Sequence, residues 1–375
     1  MTEEKKTEMD SDAPGLPRTS SGRMAIRGPH DGAHPDARAI RRRTLTALAG
    51  NRTPGFHFPG YFLRLAWPRI GERDCVQTME SGSHCLDADG RVNPGAVGVM
   101  VDGALATAAR LGVQAGARLA TVNLTLQYTG HPATDALSME AGLEGYYEGD
   151  AVPHGITRGV LTSAGKPVCY AAGTFLLVPP PPGVALGPLP WQSEGPPAEP
   201  LARGELSETE RAVVRAANAA LTRGVRSANE ALAKGVRRAN EALAKGVRPA
   251  NEALAQGGDR AFIEHFWGFL PKAAPGGASC RVKIGAQIGN RVGHVQGGIL
   301  LGLAQATASA AVPRHPAVST ISAWYISPGN GKAVSVRSKI VHEGRSFAVV
   351  KTEIRNADKS LVLEAVSNHA SVKRN

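Results

Sequence analysis

The stretch NRVGHVQGGILLGLAQATASAA, residues 290–311, decides how this chain folds. It opens polar, tightens through Gly297-Gly298 and runs into a segment that is apolar or small almost all round. A helix without a polar stripe must be enclosed by other structure. The paired glycines let another group approach closely where the helix begins, and the unpaired N–H groups of that first turn suit developing negative charge. The same design occurs earlier as NPGAVGVMVDGALATAA, residues 93–109. Overlaying Gly95 on Gly298 sets Asp102 against Gln305, each seven residues after its glycine. Seven residues is close to two turns, so each side chain lies on the face of its glycine about 10 Å further along.

Outward from the two helices, the flanks repeat as well. After the first, Leu119 to Tyr128 reads as a period-2 strand, and strand-like runs follow at 136–146, 154–163 and 167–178. After the second, such runs occupy 317–327, 332–342, 346–356 and 360–372. Segments 74–81 and 279–288 read as the strands that precede each helix, and 259–269 as a short helix. Each half is thus strand, buried helix, then four strands, an order that favours antiparallel pairing.

Four regions result: a disordered, polar N-terminal tail over 1–40, a first repeat with its extension over 41–178, a linker over 179–258 and a second repeat over 259–375. Within the first, Arg41-Arg42-Arg43 opens a short helix, and 54–68 mixes aromatics with Gly and Pro as a lid or packed loop would. The linker is Pro-rich at first. It then carries GVRSANEALAK, GVRRANEALAK and GVRPANEALAQ, preceded by the degenerate VVRAANAALTR. An eleven-residue period spans three turns and suits a nearly straight helix. The segment 213–256 reads as a surface spacer outside both repeats.

The net charge is +11, and 213–256 hold eight Lys or Arg against three Glu. Basic balance attracts polyanions such as coenzyme A, but with 5% aromatic residues there is no basic-aromatic pattern for stacking bases, which argues against nucleic acid. The cysteines, Cys75, Cys85, Cys169 and Cys280, form no C-x-x-C pair and no zinc spacing, so no metal or other cofactor is expected. The polar N-terminus lacks the apolar core of a secretory signal. The apolar run from Ile299 to Val312 is too short to span a membrane. A soluble cytoplasmic protein is the expectation.

This plan resembles the hotdog fold, and residues Asn290, Gly293, Gln296, Gly297, Gly298 and Leu303 resemble the motif of acyl-CoA thioesterases of the phenylacetate-pathway type. The resemblance covers roughly 75–178 and 279–372. It implies an α+β chain of two fused hotdog repeats, each an antiparallel sheet wrapped around a buried helix, together forming a pseudodimer. It implies hydrolysis of acyl-CoA in fatty acid metabolism, and allows homo-oligomers of such double units.

In such enzymes the site lies between two hotdogs. Carried over by position, the second repeat keeps the carbonyl-binding half in Asn290, Gln296 and the Gly297 N–H. It has Gln305 where the carboxylate is expected and Val318 where the hydroxyl is. The first repeat keeps Asp102 and Thr121 but has Asp87 and Asn93-Pro94 in the loop. One composite site is expected whole and its mirror image dead. Asp102 would serve as general base or as nucleophile, Thr121 would orient it or the water, and Gln296 would polarise the carbonyl. Gly298 and the cations Arg337, Lys339 and Arg345 are the candidate substrate-binding residues. Each has a plainer reading: Asn290 as a turn cap, the glycines as close packing, Thr121 as a strand residue, the cations as a solvated face. A non-catalytic acyl-CoA-binding scaffold, or a hotdog hydratase or dehydratase, is the alternative.

Overall fold

The alternating Leu119–Tyr128 run becomes one of two strands at the middle of a single antiparallel sheet. The computed structural model describes residues 34, 36–53, 57–111, 118–147, 153–178, 189, 198–224 and 262–371. In chain order these form α1 (Ala37–Asn51), α2 (Phe58–Phe62), β1 (Ala66–Ile70), β2 (Asp74–Met79), α3 (Pro94–Leu111), β3 (Arg118–Tyr128), β4 (Leu137–Tyr147), β5 (His154–Ser163) and β6 (Lys166–Val178). There follow α4 (208–224), α5 (Phe262–Trp267), β7 (Lys272–Ala274), β8 (Gly277–Lys283), α6 (Gly297–Ala311), β9 (Ala317–Tyr325), β10 (Ala333–Glu343), β11 (Phe347–Asn356) and β12 (Leu361–Ala370).

The twelve strands run β1-β2-β4-β5-β6-β3-β9-β12-β11-β10-β8-β7. The second six reproduce the order of the first six, reversed about the β3–β9 seam. There Asn123 pairs with Trp324, Thr125 with Ser322 and Gln127 with Thr320. Thr125 donates across it to Ser322 Oγ (3.0 Å), and Asn123 Nδ2 to the Ala323 carbonyl (2.9 Å). Helix α3 packs on β2 to β6, and α6 on β7 to β12. Each is sheathed by its own half-sheet, as their lack of a polar stripe requires.

The two helices also pack on each other, antiparallel, through glycine. A Cβ on Gly98 would collide with the Gly298 carbonyl oxygen, one on Gly298 with the Gly98 carbonyl group, and one on Gly302 with the backbone of Gly95. Backbone meets backbone here, so any side chain would force the helices apart. The crossing sets the N-terminal turn of α6 beside the middle of α3, and it fixes where Asp102 can reach.

The loops entering both helices are built alike. Asp87 Oδ1 accepts from the N–H groups of Asp89 (2.9 Å) and Arg91 (3.0 Å), and Asn290 Oδ1 accepts from those of Val292 (3.0 Å) and His294 (3.0 Å). Each loop turns on a glycine at positive φ, Gly90 at 73° and Gly293 at 81°, where a side chain would be strained. The turn-capping reading of Asn290 therefore describes its Oδ1.

Three expectations change. The N-terminal tail ends before Ala37, because Ala37 and Ile40 are buried in α1. The strand expected over 279–288 stops at Lys283, and 286–288 form a 3-10 turn. The degenerate first copy of the eleven-residue repeat is helical, as expected, but it is not a surface spacer. Val213, Ala217, Ala220 and Leu221 are buried in the main core, and Arg52 makes two 2.7 Å contacts with the Glu210 carboxylate. Beyond Gly224 the remaining copies lie outside the described residues. Among the described residues no helix is long and apolar enough to cross a membrane, and the four cysteines are buried free thiols.

Candidate active site

Asp102 stands in the middle of α3, where its neighbours are Val, Met, Ala and Gly, and is 7% exposed. Burying a carboxylate is costly unless donors surround it, and they come from both repeats. Thr121 Oγ1, on β3, donates to Asp102 Oδ1 at 2.9 Å, and Gln296 Nε2, ahead of α6, donates to Oδ2 at 2.7 Å. Burial pushes the Asp102 carboxyl up to about 6, while the Thr121 hydroxyl, the Gly298 N–H, the Gln296 amide and the nearby Arg110 hold it down. Asp102 is therefore mainly ionised at neutral pH.

Gln296 has two tasks. Its Oε1 accepts from the Ile299 N–H at 3.0 Å and so caps α6, while its amide nitrogen binds Asp102. The expectation that Gln296 polarises a carbonyl is revised accordingly: this geometry makes it first the clamp on the carboxylate, with one further amide hydrogen to offer. Gly297 begins the helix. A Cβ there would lie 3.0 Å from Asp102 Oδ2 and 3.2 Å from Thr121 Oγ1, so glycine keeps that space open. As the first helical N–H it has no intrahelical partner, and among the described residues no acceptor occupies it. Tyr325, at the end of β9, donates its hydroxyl to the Gly297 carbonyl at 2.8 Å and holds that first turn in place.

These groups open on a cleft of about 490 Å³. Asp102, Gly103, Ala106, Thr107 and Arg110 form one wall, the start of β3 and the end of β6 another, and the 290–297 loop with 325–329 the third. Asn290 lines it too; its Oδ1 serves the loop, and its Nδ2 has no acceptor among the described residues. Asp102, Thr121, Asn290, Gln296 and Gly297 are thus together.

The expected coenzyme A cations are not. Arg337 and Lys339 lie exposed on β10 and Arg345 in the turn after it, none of them lining the cleft. The inward residues of β10, Val336 and Ser338, face α6, so alternation turns Arg337 and Lys339 to the outer face. The arginines on the cleft are Arg110, Arg118 and Arg291. Gly298 serves the helix crossing.

The mirror position is differently equipped. Gln305 accepts from the Tyr128 hydroxyl at 2.7 Å, a neutral pair where Asp102 stands in the other half. Pro94 replaces Gly297 and has no N–H to offer, and the Phe269 ring lies against Gly95. Tyr128 and Tyr325 end the β3 and β9 strands at equivalent positions. Overlaying those two strands was the available signal for Tyr325. His57 and Arg110 reach the cleft from segments with no motif.

Residues 287–370 match the family model described as acyl-CoA thioesterase N-terminal domain. The resemblance drawn from Asn290, Gly293, Gln296 and the glycine pair is borne out over that segment. Solved structures similar to the chain include a tesB protein of Mycobacterium avium subs paratuberculosis, at 12% identity and TM-score 0.41, covering 88% of this chain and 99% of that one. Another is a conserved hot dog protein of Alicyclobacillus acidocaldarius, at 8% identity and TM-score 0.43, covering 83% and 97%. A third is the BH2602 protein of Bacillus halodurans, solved with CoA, at 17% identity and TM-score 0.32, covering 46% and 98%. Comparison with curated proteins gave no match.

Proposed function

We propose that this chain hydrolyses acyl-CoA thioesters at one composite site between two fused hotdog repeats, which together form a pseudodimer. The observation that carries the reading is the placement of Asp102. It is a buried carboxylate from one repeat, clamped by Thr121 of its own repeat and Gln296 of the other, beside the open first turn of α6.

The thioester carbonyl oxygen accepts from the Gly297 N–H, with the Asn290 amide and the second Gln296 hydrogen as further donors. One preorganised donor of this kind is typically worth about 3–4 kcal/mol in the transition state. Asp102 takes a proton from water as the water oxygen bonds to the carbonyl carbon. The oxyanion collapses, the C–S bond breaks, and the proton on Asp102 passes to the departing thiolate. The products are a carboxylic acid and free coenzyme A. Attack by Asp102 itself, through an anhydride that water then opens, uses the same atoms in another order; hydrolysis in ¹⁸O water under single-turnover conditions separates the two.

The reading is tested by following thiol release from straight-chain and aromatic acyl-CoAs with purified protein. Turnover of at least one class, abolished by Asp102→Asn, is expected. Binding of acyl-CoA with no thiol release from any of them would instead establish the scaffold alternative.

A further inference from the structure

The peptide between Gly297 and Gly298 sits at the centre of the candidate site, and no side chain can stiffen it. A Cβ on Gly297 would lie 3.0 Å from Asp102 Oδ2, and one on Gly298 would collide with the Gly98 carbonyl group across the helix crossing. Both positions are therefore held to glycine, which leaves the backbone freer to turn than any other residue. A peptide turns as one plane, so its carbonyl and its N–H change direction together. Were this one to turn, a carbonyl oxygen would face the Asp102 carboxylate in place of the Gly298 N–H that helps to hold it.

The restraint comes from the other end of the same plane. Tyr325 Oη, on β9, donates to the Gly297 carbonyl at 2.8 Å, and the ring lines the cleft. Enclosure, and then the Asp102 charge, push this hydroxyl well above the ordinary phenol range, so it stays a donor at any pH near neutrality. A hydrogen bond at the carbonyl also polarises the peptide and strengthens its N–H as a donor. The mirror half is built otherwise. There the corresponding peptide joins Pro94 to Gly95, and the proline ring restricts the backbone. The Gly95 N–H donates to Asn93 Oδ1 at 2.8 Å, and the equivalent tyrosine, Tyr128, donates to Gln305 instead. Only in the half that has the carboxylate does a tyrosine hold the peptide at the helix start.

We propose that Tyr325 is a positioning residue: by holding the Gly297 carbonyl it keeps the Gly298 N–H on Asp102. The proposal rests on the thioesterase reading and adds a residue that acts through a peptide group. Of the titratable groups near Asp102, Arg110 acts from α3 and Tyr325 from β9. From β3 and the start of α6 the carboxylate meets Thr121, Gln296 and Gly298, which carry no charge. Arg118, Arg291, His57 and His294 line the rest of the cleft, and burial lowers both histidines, His57 to about 4. Replacing a tyrosine leaves all of these in place, so a change in pH profile between variants reports on Asp102.

The test compares Tyr325→Phe with Tyr128→Phe, its counterpart in the mirror half, using octanoyl-CoA and phenylacetyl-CoA. Tyr325→Phe should lower kcat by roughly tenfold and leave KM within about twofold of wild type. The acid limb of its kcat profile should move up by roughly half a pH unit, because the ionised carboxylate loses part of its hold on a donor. Tyr128→Phe should lose stability while keeping the wild-type kcat and limb. Thermal unfolding checks that each variant is folded. The proposal is overturned if Tyr325→Phe loses stability alone, if kcat falls with the limb unmoved, or if only KM rises. Should Tyr325→Phe not fold, fluorotyrosine at 325 is a stronger donor of nearly the same shape and should move the limb down; an unmoved limb overturns the proposal. Absence of turnover by wild type counts against the thioesterase reading alone. Positioning is then read from urea unfolding, as the difference between proteins with Asp102 and with Asn at that position. The folded-state value for Asp102 lies above the unfolded one, so its stabilising contribution is lost as pH rises. In the Tyr325→Phe background that loss should continue to higher pH, and an unchanged pH dependence overturns the proposal.

Discussion

Replacing Asp102 by Asn separates the catalytic role proposed for the carboxylate from what it costs the fold. Raising this carboxyl from 3.8 to about 6 means that the ionised form is disfavoured in the folded protein by ~3 kcal/mol relative to the unfolded chain. The folded-state value lies above the unfolded one. Its stabilising contribution is therefore complete below about pH 4 and is lost as pH rises through about 6. Asn removes this term. It also keeps an oxygen for the Thr121 hydroxyl, but turns an NH₂ toward the Gln296 amide. Gln296 cannot flip to meet it without releasing the Ile299 N–H, so the variant forfeits ~1–3 kcal/mol for the mismatch. The two terms nearly cancel at neutral pH. Urea unfolding of the two proteins across pH 4 to 8 should show wild type losing ~3 kcal/mol relative to the variant as pH rises. Thiol-release assays should show wild-type rate rising to a plateau above about pH 6, and the variant slower by ~10³-fold. A variant that keeps more than a tenth of the activity, or a wild-type rate flat across that range, refutes the role given to Asp102.

Three other outcomes test the frame around the site. Gln305→Ala should leave turnover unchanged but lower stability by ~1–3 kcal/mol, because the buried Tyr128 hydroxyl loses its acceptor; a large fall in rate would mean that the mirror position is used. Gly298→Ala should cost at least ~1–3 kcal/mol and much of the activity, since the new methyl group parts α3 from α6. Gly145→Ala, with nothing within 4 Å of its added Cβ, is the control. Leu221→Ala should cost ~3 kcal/mol in thermal or urea unfolding, whereas a helix outside the core would lose almost nothing.

What was legible in the sequence is what burial imposes locally. An all-round apolar helix has to be enclosed, so α3 and α6 could be read directly, and half-buried strands alternate, so β3 to β6 and β9 to β12 could be placed within a residue or two. The edge strands β1 and β7 are exposed along nearly their whole length. They bury no face, produce no alternation and left no signal. Helix α4 was visible as a helix, but its packing was not. Its apolar stripe resembles that of the later copies; what sets it apart is burial in the main core, with polar ties to α1 through Arg41–Asn218 and Arg52–Glu210. In the structure a Ser207–Glu210 capping box, with Ser207 N donating to Glu210 Oε2 at 2.7 Å and Glu210 N to Ser207 Oγ at 3.3 Å, starts that helix.

The candidate site was legible through the repeat taken together with the motif of Asn290, Gly293, Gln296 and the glycine pair. Gln296 and Asp102 lie 194 residues apart, and overlaying the two halves connected them because each half lacks what the other retains. The overlay could not say which exposed cations share the cleft, because alternation along β10 does not tell which face of the sheet borders it. Nor could it give the division of labour in Gln296, which depends on its position as cap of α6. The same overlay explains why the second position could drift. On the proposed reading, Pro94 at the helix start offers no oxyanion donor, and an aspartate at 305 would be a half-buried charge without a reaction to serve. A glutamine bonded to Tyr128 fills that space at lower cost. Loss of the donor thus removes the reason for keeping the acid, and one departure makes the other favourable.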